Sequence, residues 1–168
     1  MSRRINMFTL YTIASARQIH AVRLFHQAVR DAVPDVQILD WTDLAAPPAG
    51  LGPIQRRDWN DTDAAGEVFS FCRDACGQSD LVVYLGPAGQ DAGVEVGMAL
   101  AAGVPILGVR GPHEEPGLML QRAVRKWTSD VVHTVHCLEG LAHCLRRMDR
   151  CSCRCELSAL CPLYEERY

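Results

Sequence analysis

Apolar and polar positions follow two rhythms along this chain. Residues 7–13 form an apolar run of strand length. Residues 16–32 place Ile19, Val22, Leu24, Phe25 and Val29 near one face of an amphipathic helix. Ser15 precedes that helix and Gln18 follows three positions later, the spacing of a capping box. Pro34 ends the helical region, and residues 36–41 read as a second strand. Further on, residues 63–76 predict a helix stopped by Gly77, and residues 80–85 a buried strand. Residues 94–102 predict a short helix closed by Gly103, followed by a strand at 104–109. The pattern then predicts a helix at 118–127, a strand at 131–135 and a helix at 138–148.

Strands alternating with helices imply a parallel sheet covered on both faces. The expected architecture is a flavodoxin-like (Rossmann-like), doubly wound α/β sheet of about five parallel strands in the order 2-1-3-4-5. One α/β domain over residues 1–150 is expected, with a Cys-rich tail over 151–168. Residues 42–62, with Pro47-Pro48, Gly50, Gly52, Pro53 and Trp59-Asn60-Asp61, read as a long irregular excursion, either a binding loop or a plain surface loop. Sheets of this kind bind ligands beyond the carboxyl ends of their strands, at the switch point. That singles out residues 15–17, 86–95 and 110–115.

Composition narrows the class. The chain has 168 residues, 48% hydrophobic and 22% charged, with a net charge of -3. That length suits one domain with a substantial core. The charge argues against a basic nucleic-acid-binding module and against a disordered acidic tail. The longest uncharged stretch, residues 96–109, contains Pro105 and is too short to span a membrane. Only Lys126 among the basic residues is Lys. Such Arg bias fits either codon usage or phosphate recognition. Arg3-Arg4, an apolar stretch and Ala14-Ser15-Ala16 together imitate a signal peptide, but Asn6, Thr9, Tyr11 and Thr12 make a poor apolar region. The expectation is a reduced, cytoplasmic protein despite its eight cysteines.

The chemistry concentrates in residues 86–99, where a Gly-rich turn leads from a buried strand into a helix. In this reading Glu95 lies in the helix's first turn, where the dipole favours an ionised carboxylate and a ready nucleophile. An ordinary stabilising first-turn Glu is the alternative. Ser15 is either a cap alone or a cap that also binds phosphate at the helix N-terminus, with Arg17 adding a fork of donors. Tyr11 is either a core aromatic or part of the site.

Ser79-Asp80, then Gly93-Val94-Glu95-Val96-Gly97-Met98-Ala99 and Gly103-Val104-Pro105, resemble the nucleoside 2-deoxyribosyltransferase family, which includes the 2'-deoxynucleoside 5'-monophosphate N-hydrolases. Tyr11-Thr12-Ile13-Ala14-Ser15-Ala16-Arg17 is similar to the hydrolases' Tyr-x-x-Gly-Ser-x-Arg segment. The resemblance covers about residues 7–145, apart from the 42–62 excursion. It implies that Glu95 is the nucleophile, that Tyr11 orients it, and that Ser15 and Arg17 hold a 5'-phosphate. It places Gly89 and Gly93 in the substrate-binding turn. It also implies a homo-oligomer whose subunits complete one another's sites, and no cofactor. Two departures stand out. The family Asp six residues before the nucleophile is Gly89 here, with Asp91 the acid on offer. The family's helical Asp corresponds to Cys72, with Asp74 the nearest acid, turned by about 200° from it.

The implied chemistry is cleavage or exchange at the N-glycosidic bond of a (deoxy)nucleoside or its 5'-monophosphate, through a glycosyl-enzyme intermediate. The alternative is a non-catalytic nucleotide-binding or sensor protein on the same scaffold. A cytokinin-activating phosphoribohydrolase ranks lowest, because its Pro-Gly-Gly-x-Gly-Thr-x-x-Glu turn is missing. The partner in either case is a small nucleoside or nucleotide rather than a nucleic-acid polymer or a membrane. Cys151, Cys153, Cys155 and Cys161 lack the paired knuckle spacing of a zinc site, and no metal site is assigned.

Overall fold

A computed structural model describes residues 8–44, 46–48, 50–147 and 160. Five strands form one parallel sheet: β1 (Phe8–Ala14), β2 (Val36–Leu39), β3 (Leu81–Leu85), β4 (Ile106–Val109) and β5 (Lys126–Thr128). Their order is β2-β1-β3-β4-β5, the expected doubly wound arrangement. Between them run α1 (Ile19–Ala32), α2 (Pro53–Asn60), α3 (Asp63–Gln78), α4 (Gln90–Ala101) and α5 (Leu118–Ala123), with α6 (Val131–Arg147) last.

Strand side chains alternate between two cores. Leu10, Leu81, Val83, Leu107 and Val109 pack with Val22, Phe25 and Val29 of α1 and Leu138 and Leu141 of α6. Tyr11, Ile13, Val82, Tyr84 and Ile106 face the other way, against Cys76 of α3 and Ala92, Val96 and Ala99 of α4. All of β3 is buried, as its unbroken apolar run requires for a strand covered on both faces.

Several boundaries differ from the pattern-based expectation, each for a local reason. Residues 42–62 are not wholly irregular. Pro53 opens α2 with a ring already set for a helix, and the Gln55 side chain accepts from the Gly52 N–H at 3.0 Å. Gly77 does not stop α3, which runs on to Gln78 without a left-handed residue at its end. Residues 118–127 are not one helix, since α5 ends at Ala123 and residues 126–128 pair with β4 as the last strand. Residues 131–135 are helical. Asp130 Oδ1 accepts from the His133 N–H at 2.8 Å, and this cap outweighs the strand propensity of Val131 and Val132. The Ser15–Gln18 capping box does not form. A 3-10 turn, Ala16–Gln18, brings the Gln18 N–H onto the Ser15 carbonyl at 2.8 Å, while Ser15 Oγ accepts from the Arg17 N–H at 3.3 Å. Leu24 is 74% exposed and lies off the buried face of α1.

The change that matters most for the site is at α4. It begins at Gln90 rather than at residue 94, with Gly89 as N-cap and Asp91 in the first turn. It closes as expected at Gly103, whose left-handed φ of 75° lets the Val104 N–H reach the Ala99 carbonyl at 3.0 Å. The four tail cysteines, Cys151, Cys153, Cys155 and Cys161, lie outside the described residues, although Leu160 is buried in the α1–α6 core. Among the described residues no helix is long and apolar enough to cross a membrane.

Candidate active site

Tyr11 sits on the face of β1 covered by α3 and α4, and Glu95 lies in the second turn of α4. The Tyr11 hydroxyl donates to Glu95 Oε2 at 3.0 Å. Strand order creates this meeting. β1 and β3 are neighbours, and α4, which leaves β3, folds back over both.

Moving Glu95 from the first turn to the second changes its electrostatics. The dipole argument for a ready carboxylate weakens beyond the first turn. Burial instead dominates and raises the Glu95 carboxyl to about 7. The Tyr11 hydrogen bond opposes this, and the Asp91 charge adds to it. Tyr11 is itself fully buried, and burial, then the Glu95 charge, push its phenol far above the ordinary range. It stays neutral and remains a donor. Cys72 and Cys76, one turn apart on α3, flank the pair. Cys72 interacts with the Tyr11 hydroxyl and is half-buried. Cys76 is buried, and burial followed by the Glu95 charge pushes its thiol up to about 12. Both are therefore protonated thiols rather than reactive thiolates.

Asp91 lies on α4 one turn before Glu95 and is exposed, close enough for its charge to be felt there. Asp74 is exposed on α3 and ion-paired with Arg73 at 2.8 Å, on a different side of the helix from Cys72 and Cys76. Ser15 and Gly86 are neighbours across the sheet edge, since each follows one residue of the Ala14–Leu85 pair. Ser15 and the exposed Arg17 thus stand at the carboxyl edge beside the turn that ends at Gly89, while Gly93 lies within the first turns of α4. A Cβ at either of those glycines would meet nothing within 4 Å, so packing does not demand glycine there. No group of three or more His, Cys, Asp or Glu suited to a metal occurs among the described residues.

Two features escaped the sequence. Cys72 and Cys76 read as ordinary semi-buried thiols, and only the packing of α3 against α4 brings them to Glu95. Glu114 lies in the flagged loop after β4, but nothing in its spacing ties it to Tyr84, 30 residues earlier, whose hydroxyl donates to it. On the opposite face of the sheet, buried His26 bonds Thr12 Oγ1 and Asp40, each at 3.0 Å. Thr12 and His26 are both fully buried, so this network ties α1 to β1 and β2.

Neither a family model nor a curated protein matches the chain. Among solved structures, it is similar to the 2-deoxyribosyltransferase of the psychrotolerant bacterium Bacillus psychrosaccharolyticus. The TM-score is 0.51 at 15% identity, covering 76% of this chain and 90% of that one. Clostridium botulinum CMP N-glycosidase, BcmB, gives a TM-score of 0.47 at 14% identity, over 78% of this chain and 98% of that one. A conserved protein from Enterococcus faecalis V583 gives 0.45 at 14%, over 84% and 98%. The chain has the fold of the Bacillus 2-deoxyribosyltransferase.

Proposed function

We propose that this protein cleaves or exchanges the N-glycosidic bond of a (deoxy)nucleoside or its 5'-monophosphate, with Glu95 as nucleophile. The observation that carries the reading is the Tyr11–Glu95 hydrogen bond between β1 and α4. It occupies Oε2 and orients the carboxylate with Oε1 toward the substrate. The fold shared with a 2-deoxyribosyltransferase supports the same chemistry.

In the first step Glu95 Oε1 forms a bond to the anomeric carbon as the C–N bond breaks. The base leaves with the bonding pair and takes up a proton. The negative carboxylate stabilises oxocarbenium character as it develops. Water or a second base then attacks the same carbon and releases Glu95. Asp91, the acid nearest in chain and charge to Glu95, is the candidate for handling protons; Asp74, paired with Arg73, is less well disposed. Ser15 and the Arg17 guanidinium, at the 3-10 turn after β1, form a site suited to a 5'-phosphate, with Gly89 and Gly93 bordering the sugar. A homo-oligomer is part of the proposal. Incubation with a panel of nucleosides and 5'-monophosphates, scored for free base, tests the reading. Release of base from at least one of them supports it, and binding without release from any favours a sensor.

A further inference from the structure

A second Tyr–Glu pair starts from the same face of the sheet. Tyr84, 2% exposed on β3, donates from its hydroxyl to Glu114 Oε1 at 2.5 Å and accepts from the Ala88 N–H at 3.2 Å. The other Glu114 oxygen, Oε2, accepts from the Gly111 N–H at 2.9 Å. Both carboxylate oxygens are thus committed within the protein, so Glu114 acts on its own chain rather than on a substrate.

The contacts join two loops. Ala88 belongs to the turn after β3 and immediately precedes Gly89, the N-cap of α4. Gly111 and Glu114 belong to the loop after β4. The loops are pressed together: a methyl group at Gly86 would overlap the Glu114 carboxylate, and one at Gly111 would overlap Pro87. The Tyr84 ring is held edge-on by Trp127 at 5.9 Å, and the Arg110 guanidinium lies over that indole at 5.3 Å.

We infer that Glu114 is a positioning residue for Glu95: with Tyr84 it latches the turn after β3 to the loop after β4 and so fixes the start of α4, an inference that rests on the reading of Glu95 as nucleophile. Glu95 lies six residues after Gly89 on the same short helix, so a shift of the N-cap is carried to the carboxylate. Releasing the latch lets the first turns of α4 loosen, which exposes Glu95 to water and loosens its bond to Tyr11.

The test is a carbon-13 NMR titration of the side-chain carboxyl groups, with the Glu95 signal assigned from its loss in Glu95→Gln. It needs no substrate. The wild-type Glu95 midpoint is expected near 7. In Glu114→Ala it moves down by about one unit, because returning water relieves the burial that dominates the raised value and outweighs the loosened Tyr11 hydrogen bond. Glu114→Gln restores a midpoint close to wild type, since its oxygen accepts from the Gly111 N–H while its NH2 donates to Tyr84 Oη. Tyr84→Phe serves as an independent variant. It keeps the ring against Trp127, breaks the latch at its centre, and moves the midpoint in the same direction as Glu114→Ala. A folded Glu114→Ala or Tyr84→Phe with the wild-type midpoint overturns the latch and leaves Glu95 as nucleophile intact. A shifted midpoint in a protein that releases no base leaves the latch standing and removes the catalytic reading.

Discussion

Tyr11 Oη and Glu95 Oε2 lie 3.0 Å apart although 84 positions separate them in the chain. The pair joins a neutral phenol to a carboxyl group whose burial holds it near 7, within the range where an acid changes state under ordinary conditions. The phenol favours the ionised form and burial opposes it. Their balance sets how much of the group is carboxylate at a given pH.

Removing the phenolic oxygen therefore has two separable effects. Tyr11→Phe lowers kcat for base release by roughly tenfold, the cost of one hydrogen bond to a charged group. It also moves the midpoint of the kcat/KM–pH profile upward, because the interaction that favours the carboxylate is gone. Steady-state rates between pH 5 and 9 measure both. An unchanged midpoint together with an unchanged kcat contradicts the orienting role.

Stability and activity have opposite pH dependence. The folded-state pKa of Glu95 is raised from 4.5 to about 7, so between those values the native state binds more protons than the unfolded state. Its stabilising contribution is complete below about 4.5 and is lost as pH rises through 7, where kcat/KM is expected to rise because the carboxylate is the proposed nucleophile. Glu95→Gln cannot ionise, so it matches wild-type stability near pH 4 and exceeds it at pH 8. Urea unfolding at the two pH values checks this, and equal differences between the proteins at both would contradict the raised pKa.

Four of the five strands were legible from the chain because they are apolar runs bounded by turn residues, whereas β5, the short segment Lys126–Thr128, carries no such run and read as the end of a helix. The run at residues 80–85, for example, reads as a strand under any alternative treatment of its neighbours. The start of α4 was less legible. Gly86, Gly89 and Gly93 mark residues 86–93 as a turn by composition, yet Gln90 to Gly93 are helical. Glycine is poor inside a helix but not excluded from one. Tyr11, Ser15 and Glu95 could be named from local motifs. Neither the raised Glu95 pKa nor the approach of Cys72, Cys76 and Glu114 could be, because burial and contacts between distant segments exist only after the sheet assembles.

Phosphate recognition is tested by Arg17→Ala. Arg17 is exposed at the carboxyl edge beside Ser15, where loss of its guanidinium weakens a 5'-monophosphate by about tenfold and leaves the corresponding nucleoside nearly unchanged. Calorimetric titration of both ligands against both proteins gives the comparison. Equal losses for the two ligands remove the phosphate assignment.

The proposed self-association follows the apolar side of the molecule. On α4, Val94 is 56% and Leu100 52% exposed, with Phe69 of α3 and Leu118 and Met119 of α5 exposed on the helices packed beside it. Exposed apolar surface of this kind marks an association site. Light scattering at micromolar concentration is expected to give at least a dimer mass, and Val94→Asp with Leu100→Asp to lower it. A monomeric wild-type mass contradicts the expectation.

The central claim is that Glu95 becomes covalently attached to the sugar. A 2-fluoro-2-deoxy nucleoside, or its 5'-monophosphate, destabilises oxocarbenium character and slows breakdown of such an intermediate, so the adduct can be found by peptide mass spectrometry. The predicted result is a fluorinated sugar, with its phosphate where the monophosphate is used, on the peptide containing Glu95, and none on Glu95→Gln. An adduct on Asp91 or another carboxylate, with Glu95 unmodified, would contradict the account.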